Sequence, residues 1–297
     1  MIEDYNVYKD MVNDHLTDFI PKIDRKSSVL YDSMKYSLTA GGKRLRPVLL
    51  LASCEFAGGR AHDVLPYACA AEYIHTYSLI HDDLPAMDDD DLRRGQPTNH
   101  KVYGAGIATL AGDGLLNTAF EIMMRDMFMY FDDEEQLMRR VKASYALALA
   151  AGVRGMIAGQ TSDLEQEGQI ISEEMLDYIH MNKTGMMIRG CVRAGLYLGG
   201  ADDEMLANMT EYAENLGLAF QAADDILDVT GDADEMGKAT GEDQKNNKVT
   251  HITLDGMESA RERLSRLTQA AVDAIAVYYD NAEFFRDLAL NLEKRTY

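Results

Sequence analysis

Two clusters of aspartates are the residues of this chain whose type and spacing most clearly predict chemistry. The first occupies residues 82–91 and reads DDLPAMDDDD, and the second occupies residues 224–228 and reads DDILD. On a helix, Asp224 and Asp228 share one face about 6 Å apart along the axis, so both carboxylates can bind one cation. Carboxylate oxygens favour a hard divalent ion such as Mg²⁺. For either cluster alone, a solvated acidic surface is the alternative.

Pro85 divides the first cluster and predicts how it folds. A proline inside a helix removes one backbone hydrogen bond and clashes with the preceding turn. The helix expected to begin near residue 63 should therefore end or bend at this point. Such a bend can return Asp88 towards Asp82, which a straight helix would not do.

Basic residues stand near glycines around both clusters. Residues 41–47 read GGKRLRP, which puts three cations directly after a glycine break. Flexible backbone, a point-charge Lys and fork-shaped Arg are the composition of a diphosphate cradle, although the spacing of the nucleotide-binding phosphate loop is missing. His75 lies seven residues before Asp82, two helical turns, so both side chains can face one cavity. Lys183 and Lys238 add cations near other glycines, and each alone would more often be a solvated residue.

The composition is that of an acidic globular protein. The 297 residues carry a formal net charge of −21, which argues against a nucleic-acid partner or an anionic membrane surface, because both require a basic face. Cys54, Cys69 and Cys191 have no metal or redox spacing and predict reduced core thiols. The N-terminus has no apolar signal region, and the most apolar stretch, near residues 145–151, is too short to span a bilayer. We therefore expect a soluble cytoplasmic protein without stable membrane insertion.

Helical periodicity dominates the chain, and no convincing alternation of period two is bounded by turn signals. In the expected loop at 231–248, residues 232–237 resemble an EF-hand calcium loop. Met236 at a ligand position and Asp243 in place of the bidentate Glu argue against calcium there. The pattern predicts one all-α domain over residues 1–297. The helices are expected near residues 3–20, 27–39, 45–57, 63–84, 105–130, 134–158, 173–198, 203–230, 257–279 and 281–294.

Four motifs follow one another in a specific order: GGKRLRP from Gly41, HDDLPAMDDDDLRRG from His81, KTG from Lys183 and QAADDILD from Gln221. Together they resemble the polyprenyl (isoprenyl) diphosphate synthases, and the bacterial farnesyl diphosphate synthase branch looks closest. The resemblance spans residues 41–248, and two aspartate motifs at this separation are far more specific than either alone. It implies a single isoprenoid-synthase-type bundle of about ten helices around a deep central cavity. It also implies a homodimer and about three Mg²⁺ ions per active site.

The resemblance implies a role for each motif residue. The Mg²⁺ ligands would be five aspartates: Asp82, Asp83, Asp88, Asp224 and Asp228. The cations that contact the allylic diphosphate would be Arg93, Lys183 and Lys238. The metal-free pocket for isopentenyl diphosphate would consist of Lys43, Arg46, His75 and Arg94. Thr184 and Gln221 would place oxygen dipoles near the developing allylic cation.

The implied reaction joins isopentenyl diphosphate to dimethylallyl or geranyl diphosphate, releases pyrophosphate and ends at farnesyl diphosphate. In this family, chain length is thought to be set by residues just before the first aspartate motif, where Tyr77 and Ser78 stand. An aromatic at Tyr77, together with the extra residues Pro85 and Ala86 inside the motif, usually goes with a fifteen-carbon product. The alternative for Tyr77 is a core aromatic, since its helical phase is about 140° from that of Asp82.

Three other functions stay open. A geranylgeranyl diphosphate synthase would use the same motifs for a twenty-carbon product. A terpene cyclase also ionises an allylic diphosphate, but it needs no second diphosphate pocket, so Lys43, Arg46 and Arg94 argue against it. A non-catalytic partner subunit of a prenyl synthase would be expected to lose its aspartate motifs, and both are intact.

Overall fold

The structure is a computed structural model that describes residues 2–21, 26, 28–230 and 249–294. Helices account for most of these residues. The α-helices are α1 (Ile2–His15), α2 (Ser28–Leu38), α3 (Leu45–Phe56), α4 (Leu65–Asp82), α5 (Asn99–Tyr103), α6 (Ala105–Met127), α7 (Glu134–Ala151), α8 (Met156–Glu165), α9 (Glu173–His180), α10 (Met186–Gly199), α11 (Asp203–Thr230), α12 (His251–Asp255), α13 (Met257–Ala274) and α14 (Glu283–Glu293).

Shorter elements connect these helices. A π-helix, Met181–Gly185, joins α9 to α10. Within the described residues, 3₁₀ helices occupy Ala61–Val64, Phe128–Tyr130 and Ala276–Ala282. An antiparallel hairpin pairs β1 (Leu92–Arg93) with β2 (Gln96–Pro97). The all-α fold class predicted from the periodicity is therefore confirmed for the described residues.

The structure differs from the predicted elements in three places. The helix expected over 134–158 ends at Ala151, and α8 begins only after a turn at 152–155. The helix expected over 173–198 is interrupted by the π-helix. The sequence does not reveal this element, because one extra residue in a turn leaves the apolar pattern almost unchanged. The hairpin and the five-residue helices α5 and α12 are too short to produce a periodic signal.

The chain divides into two compact units. The first unit comprises Ile2–Tyr145 and Ala194–Gly200, and the second comprises Ala146–Arg193 and Ala201–Tyr297. The single domain over residues 1–297 stays a prediction. The first aspartate cluster lies in the first unit, and the second cluster lies in the second unit.

The core of the first unit is built around α4, which is apolar on nearly all sides. Tyr67, Cys69, Tyr73 and Ile74 on this helix are fully buried, as expected for a helix with neighbours all round. Its Tyr73 hydroxyl donates to the main-chain oxygen of Leu16, which satisfies the buried phenol. This largely buried helix therefore carries the first aspartate cluster at its C-terminal end.

The second unit is organised around α11, the longest helix among the described residues. Its buried Tyr212 donates to the main-chain oxygen of Phe285 at 2.8 Å and packs edge-to-face on that ring. At Gly217, a Cβ would lie 2.6 Å from the Cα of Gly185, so α11 and the π-helix touch backbone to backbone. This close approach fixes the π-helix beside the second aspartate cluster.

One stretch, Glu134–Glu165, has the length and composition of a membrane span, with 39% of its most apolar window buried. Core helices of soluble proteins pass the same test, and the turn at 152–155 divides this stretch into α7 and α8. Cys54, Cys69 and Cys191 are buried thiols outside any disulfide, as predicted.

Candidate active site

The first aspartate cluster turns back on itself directly after α4. The helix ends at Asp82, and the main-chain N–H of Asp88 donates to the carbonyl of Asp82 at 2.9 Å. A second bond runs from the N–H of Asp89 to the carbonyl of Leu84, and Asp89 adopts a positive φ of 51°. The predicted return of Asp88 towards Asp82 after Pro85 is confirmed for the backbone.

Asp83 has a different environment from its neighbour Asp82. Its side chain is only 4% exposed, and Arg93 on β1 bonds it through Nε at 2.6 Å and Nη2 at 2.5 Å. Nη2 also lies 3.3 Å from Asp90. Burial raises the pKa of the Asp83 carboxyl, and the Arg93 guanidinium opposes that rise. Asp83 thus anchors Arg93, and its predicted contact with Mg²⁺ stays a prediction.

The second arginine of the hairpin, Arg94, reaches the glycine break near residue 41. It sits in the hairpin turn with a φ of 54°, and its Nη1 donates to the main-chain oxygen of Gly41. The guanidinium lies flat against Gly42, where any Cβ would fall within 3.0 Å of it. This contact explains why glycine is needed at residue 42, whose φ of 124° also favours it.

His75 on α4 lies within electrostatic range of four guanidinium groups. Burial lowers the pKa of His75 well below its usual 6.5, and the positive charges of Arg46, Arg94, Arg93 and Arg44 lower it further. The imidazole is therefore neutral at pH 7 within a strongly positive environment. Four of the residues predicted to bind diphosphate are thus brought together in the first unit.

Arg44 differs from the other cations of the GGKRLRP motif because it points into the protein. It is 4% exposed, pairs with buried Glu72 at 2.6 Å and donates to the main-chain oxygen of Leu38 at 2.8 Å. Its Nε also donates to Asn13. These bonds make Arg44 the structural anchor of the segment. For Lys43, the described contact is at the backbone, where its carbonyl accepts from the hydroxyl of Tyr5.

The two residues expected to set product length are both on α4. Tyr77 is 6% exposed, and burial together with the charge of Asp82 raises the pKa of its phenol to about 12. The hydroxyl of Ser78 donates to the main-chain oxygen of His75 at 2.9 Å. Tyr77 is therefore a buried residue within electrostatic range of the first aspartate cluster.

In the second unit, the three aspartates of the DDILD motif lie on α11 and have different roles. Gln221, Asp224 and Asp228 recur with helical spacing on α11, and Asp228 is 5% exposed. Asp225 instead accepts a bond from the main-chain N–H of His251 at 3.2 Å. Asp224 and Asp228 thus share a face, as predicted, while Asp225 holds the start of α12.

The KTG motif lies in the π-helix Met181–Gly185, an element that often marks functional sites. Lys183 pairs with Asp163 on α8, with 2.6 Å between Nζ and Oδ2. Thr184 is 9% exposed, and Gly185 packs against Gly217 on α11. Because Gly217 lies one turn before Gln221, the motif is fixed close to the predicted residues of α11.

Another group of potential metal ligands lies beside α12. Oxygen or nitrogen atoms of Glu173, His251 and Asp255 lie within 4.8 Å of one another. Arg263 already pairs with Glu173 at 3.1 Å, and Nε2 of His251 lies 3.2 Å from Asp177. These partners make the group a structural network of α9, α12 and α13.

Sequence reasoning missed the partners that hold the predicted cations. Asp163 bonds Lys183 and Asp90 bonds Arg93, and no sequence pattern identifies either acid as the partner of a particular cation. Asp163 follows the polar run Gln160–Ser162 inside a helix, which is a weak signal for a polar site. Lys238 and the calcium-like loop at 232–237 lie outside the described residues.

Comparison with known proteins agrees with these motifs. The profile of the Polyprenyl synthetase family matches residues 27–278. A farnesyl diphosphate synthase of Geobacillus stearothermophilus is 46% identical over 92% of this chain and 93% of its own length. A geranylgeranyl diphosphate synthase of Cyanophora paradoxa is 43% identical over 92% of this chain and 89% of its own length.

Solved structures give the same result. The apo crystal structure of an FPP/GFPP synthase from Zymomonas mobilis has a TM-score of 0.83 and 33% identity, and the match covers 98% of each chain. The predicted resemblance, the isoprenoid-synthase type of fold and the prenyltransferase class of enzyme are confirmed together. From its sequence and its structure alike, the chain belongs to the polyprenyl synthetase family.

Proposed function

We propose that the protein is a farnesyl diphosphate synthase, which joins isopentenyl diphosphate first to dimethylallyl and then to geranyl diphosphate. The observation that carries this proposal is the set of guanidinium groups of Arg46, Arg93 and Arg94 around a neutral His75. This cluster lies on the same unit as the first aspartate turn. A metal motif and a separate cationic pocket are what two diphosphate substrates require, whereas a terpene cyclase would need only the first.

The predicted metal ligands fit Mg²⁺ in their chemistry. Asp82, Asp88, Asp224 and Asp228 all offer carboxylate oxygens, the ligand that hard divalent ions prefer. We assign these four residues to holding Mg²⁺, with about three ions per active site, and the bound ions would supply positive charge to the allylic diphosphate. Asp83 contributes indirectly, because it holds Arg93.

Arg93, Lys183 and Lys238 are assigned to the allylic diphosphate. Arg93 is held in one orientation by Asp83, and Lys183 is held by Asp163, so both cations are oriented before substrate binds. Preorganised charge of this kind stabilises a departing anion without reorganisation during the reaction. Thr184 and Gln221 are assigned to the allylic carbon, where their oxygen dipoles stabilise positive charge.

Lys43, Arg46, His75 and Arg94 are assigned to isopentenyl diphosphate. The charged side chains bind its phosphates, and neutral His75 offers a ring N–H without adding positive charge. The C–O bond of the allylic diphosphate breaks, and the double bond of isopentenyl diphosphate forms the new C–C bond. A proton then leaves the condensed product. We assign its acceptor to the released pyrophosphate, since no side chain is an obvious dedicated base.

Two further assignments concern the protein as a whole. We infer a cytoplasmic homodimer that forms through α6, α7 and the connection between them. Met124, Phe128 and Phe131 follow helical spacing and are 58%, 62% and 63% exposed. Single exposed apolar residues are normal on a protein surface, whereas several on one face indicate an interaction surface. Sedimentation analysis of the purified protein tests this assignment, and a monomer at micromolar concentration would contradict it.

Product length separates the proposal from its nearest alternative. Relatives of similar identity carry both the farnesyl and the geranylgeranyl names, so identity does not choose between them. Buried Tyr77, close to the first aspartate motif, favours the shorter product. The non-catalytic subunit is disfavoured, because both motifs are complete.

The test is incubation of the purified protein with isopentenyl diphosphate, dimethylallyl diphosphate and Mg²⁺, followed by mass spectrometry of the products. We expect a fifteen-carbon product that disappears in Asp82→Ala. A twenty-carbon product would keep the enzyme class and overturn the role of Tyr77. A folded protein that condenses neither dimethylallyl nor geranyl diphosphate would overturn the proposal.

A further inference from the structure

The ring of Tyr77 is held by a second aromatic ring on the same helix. His81 follows one turn later on α4, and the two ring centroids are 5.6 Å apart with an interplanar angle of 85°. This edge-to-face arrangement is a preferred geometry for aromatic pairs. The orientation of Tyr77 therefore depends on where the His81 ring lies.

The His81 ring is in turn fixed by α6. Its Nε2 lies at hydrogen-bonding distance, 3.0 Å, from the main-chain oxygen of Thr109. The ring also lies directly over Gly112, where an added Cβ would come within 3.0 Å of both Nε2 and Cδ2. The imidazole and a side chain at residue 112 cannot occupy this space together.

Glycine inside a helix is disfavoured relative to alanine. Gly112 is fully within α6 and buried, and its φ lies outside the left-handed region that would require glycine. The demand for glycine at this residue therefore comes from the His81 ring. The need for glycine at residue 112 therefore arises from the contact between α4 and α6.

We propose that Gly112 is a specificity-determining residue, which admits the His81 ring to the α4–α6 contact so that the ring holds Tyr77 as a barrier to chain growth. This inference rests on the proposed function and on the role assigned there to Tyr77. Gly112 acts through His81 and Tyr77, and it needs no contact with substrate. A side chain at residue 112 displaces the imidazole, releases the Tyr77 ring and lets the product grow beyond fifteen carbons.

The test compares two glycine-to-alanine variants of the same helix. In Gly112→Ala the new methyl group collides with His81, whereas at Gly106 an added Cβ meets no atom within 4 Å. The atoms that must move at residue 112 belong to the end of a side chain that is 27% exposed, so the variant can fold with the ring displaced. The readout is the ratio of twenty- to fifteen-carbon product from geranyl diphosphate.

We expect this ratio to rise on the order of tenfold in Gly112→Ala, a size typical of discrimination in an apolar pocket. Gly106→Ala should retain the wild-type ratio. His81→Ala removes the ring directly and should raise the ratio likewise. If Gly112→Ala does not fold, the His81→Ala variant tests whether the ring limits product length. Adding Gly112→Ala to Tyr77→Ala should change the ratio no further, because coupled residues are not additive.

Three results would overturn the inference. The first is a wild-type ratio in both folded Gly112→Ala and folded His81→Ala. The second is an equal rise in the Gly106→Ala control. The third is a full additional effect of Gly112→Ala in the Tyr77→Ala background. A wild-type protein that makes no condensation product in the same assay would instead refute the proposed function, and the inference with it.

Discussion

The main-chain N–H of Asp88 donates to the main-chain oxygen of Asp82, 2.9 Å away and six residues earlier in the chain. In an uninterrupted helix these residues would be about 9 Å apart along the axis and on different faces. The turn through Pro85 instead brings both backbones to one place. Asp82 and Asp88 can therefore belong to one metal site although their spacing is not helical.

This turn predicts unequal roles for aspartates within one acidic run. Asp88→Asn keeps the main-chain N–H and the turn but removes a charge, so we expect kcat to fall by about 10²-fold or more and the Mg²⁺ requirement to rise. Asp91→Asn is the control, because Asp91 is 78% exposed and paired with Lys101. We expect its activity to stay within about twofold of wild type, since surface pairs contribute little. Steady-state rates over a Mg²⁺ titration measure both, and equal losses would contradict the assignment.

The ion pair of Asp83 predicts a difference between the two acids that contact Arg93. Asp83→Asn removes a buried charge partner, so we expect a loss of about 1–3 kcal/mol in the free energy of unfolding and a raised KM for geranyl diphosphate. Asp90→Asn should have a smaller effect, because its contact is longer and more exposed, at 3.3 Å. Urea unfolding and steady-state kinetics test the pair. A larger effect in Asp90→Asn would show that Asp83 does not orient Arg93.

Gly159 on α8 packs directly against the backbone of the π-helix. A Cβ at this position would come within 3.0 Å of the main-chain nitrogen of Lys183, and backbone cannot move away cheaply. We expect Gly159→Ala to destabilise the protein by about 1–3 kcal/mol through overpacking and to lower kcat by displacing Lys183. Thermal unfolding and steady-state rates measure this. The Gly106→Ala variant in α6 controls for the substitution itself, and a Gly159→Ala protein equal to it would contradict the close approach.

His180 predicts how stability depends on pH. Burial and the nearby His251 lower the pKa of this imidazole to about 3, so below pH 6.5 the unfolded chain binds a proton that the folded chain does not. The stability contribution of neutral His180 is complete above pH 6.5 and is lost as pH falls towards 3, by at most about 1.4 kcal/mol per pH unit. His180→Phe should lose less stability than wild type between pH 7 and 5.

Urea unfolding at several pH values measures this difference. His62→Gln, a substitution at an exposed position, is the control and should follow the wild-type dependence. Identical pH profiles for wild type and His180→Phe would show that the buried imidazole is not the source of acid sensitivity.

Features that depend on local spacing could be predicted from the sequence. The shared face of Asp224 and Asp228 follows from helical period alone. The end of α4 at Asp82 follows from the proline three residues later. The gathering of the cations required the family resemblance, because residues 46 and 94 are distant in sequence.

Features that depend on tertiary contacts could not be predicted. Arg44 has the same charge as Arg46, but only the position of Glu72 decides that it is buried. The pairing of Asp83 with Arg93 depends on a hairpin too short to carry a periodic signal. Nothing local distinguishes Asp163 as the partner of Lys183.

The π-helix Met181–Gly185 also matters for how this segment tolerates changes in length. Buried residues recur every four positions at Leu176, His180, Thr184 and Ile188, a longer period than an α-helix has. Deleting one residue of the π-helix would restore an ordinary helix and keep its two flanks in phase, because the extra residue of the wide turn is the one that is lost. Such a deletion would keep the buried faces of α9 and α10 aligned and yet remove the wide turn that carries Lys183 and Thr184. The segment can therefore lose a residue and stay helical, and a protein that had done so would keep its packing without the local geometry of the KTG motif.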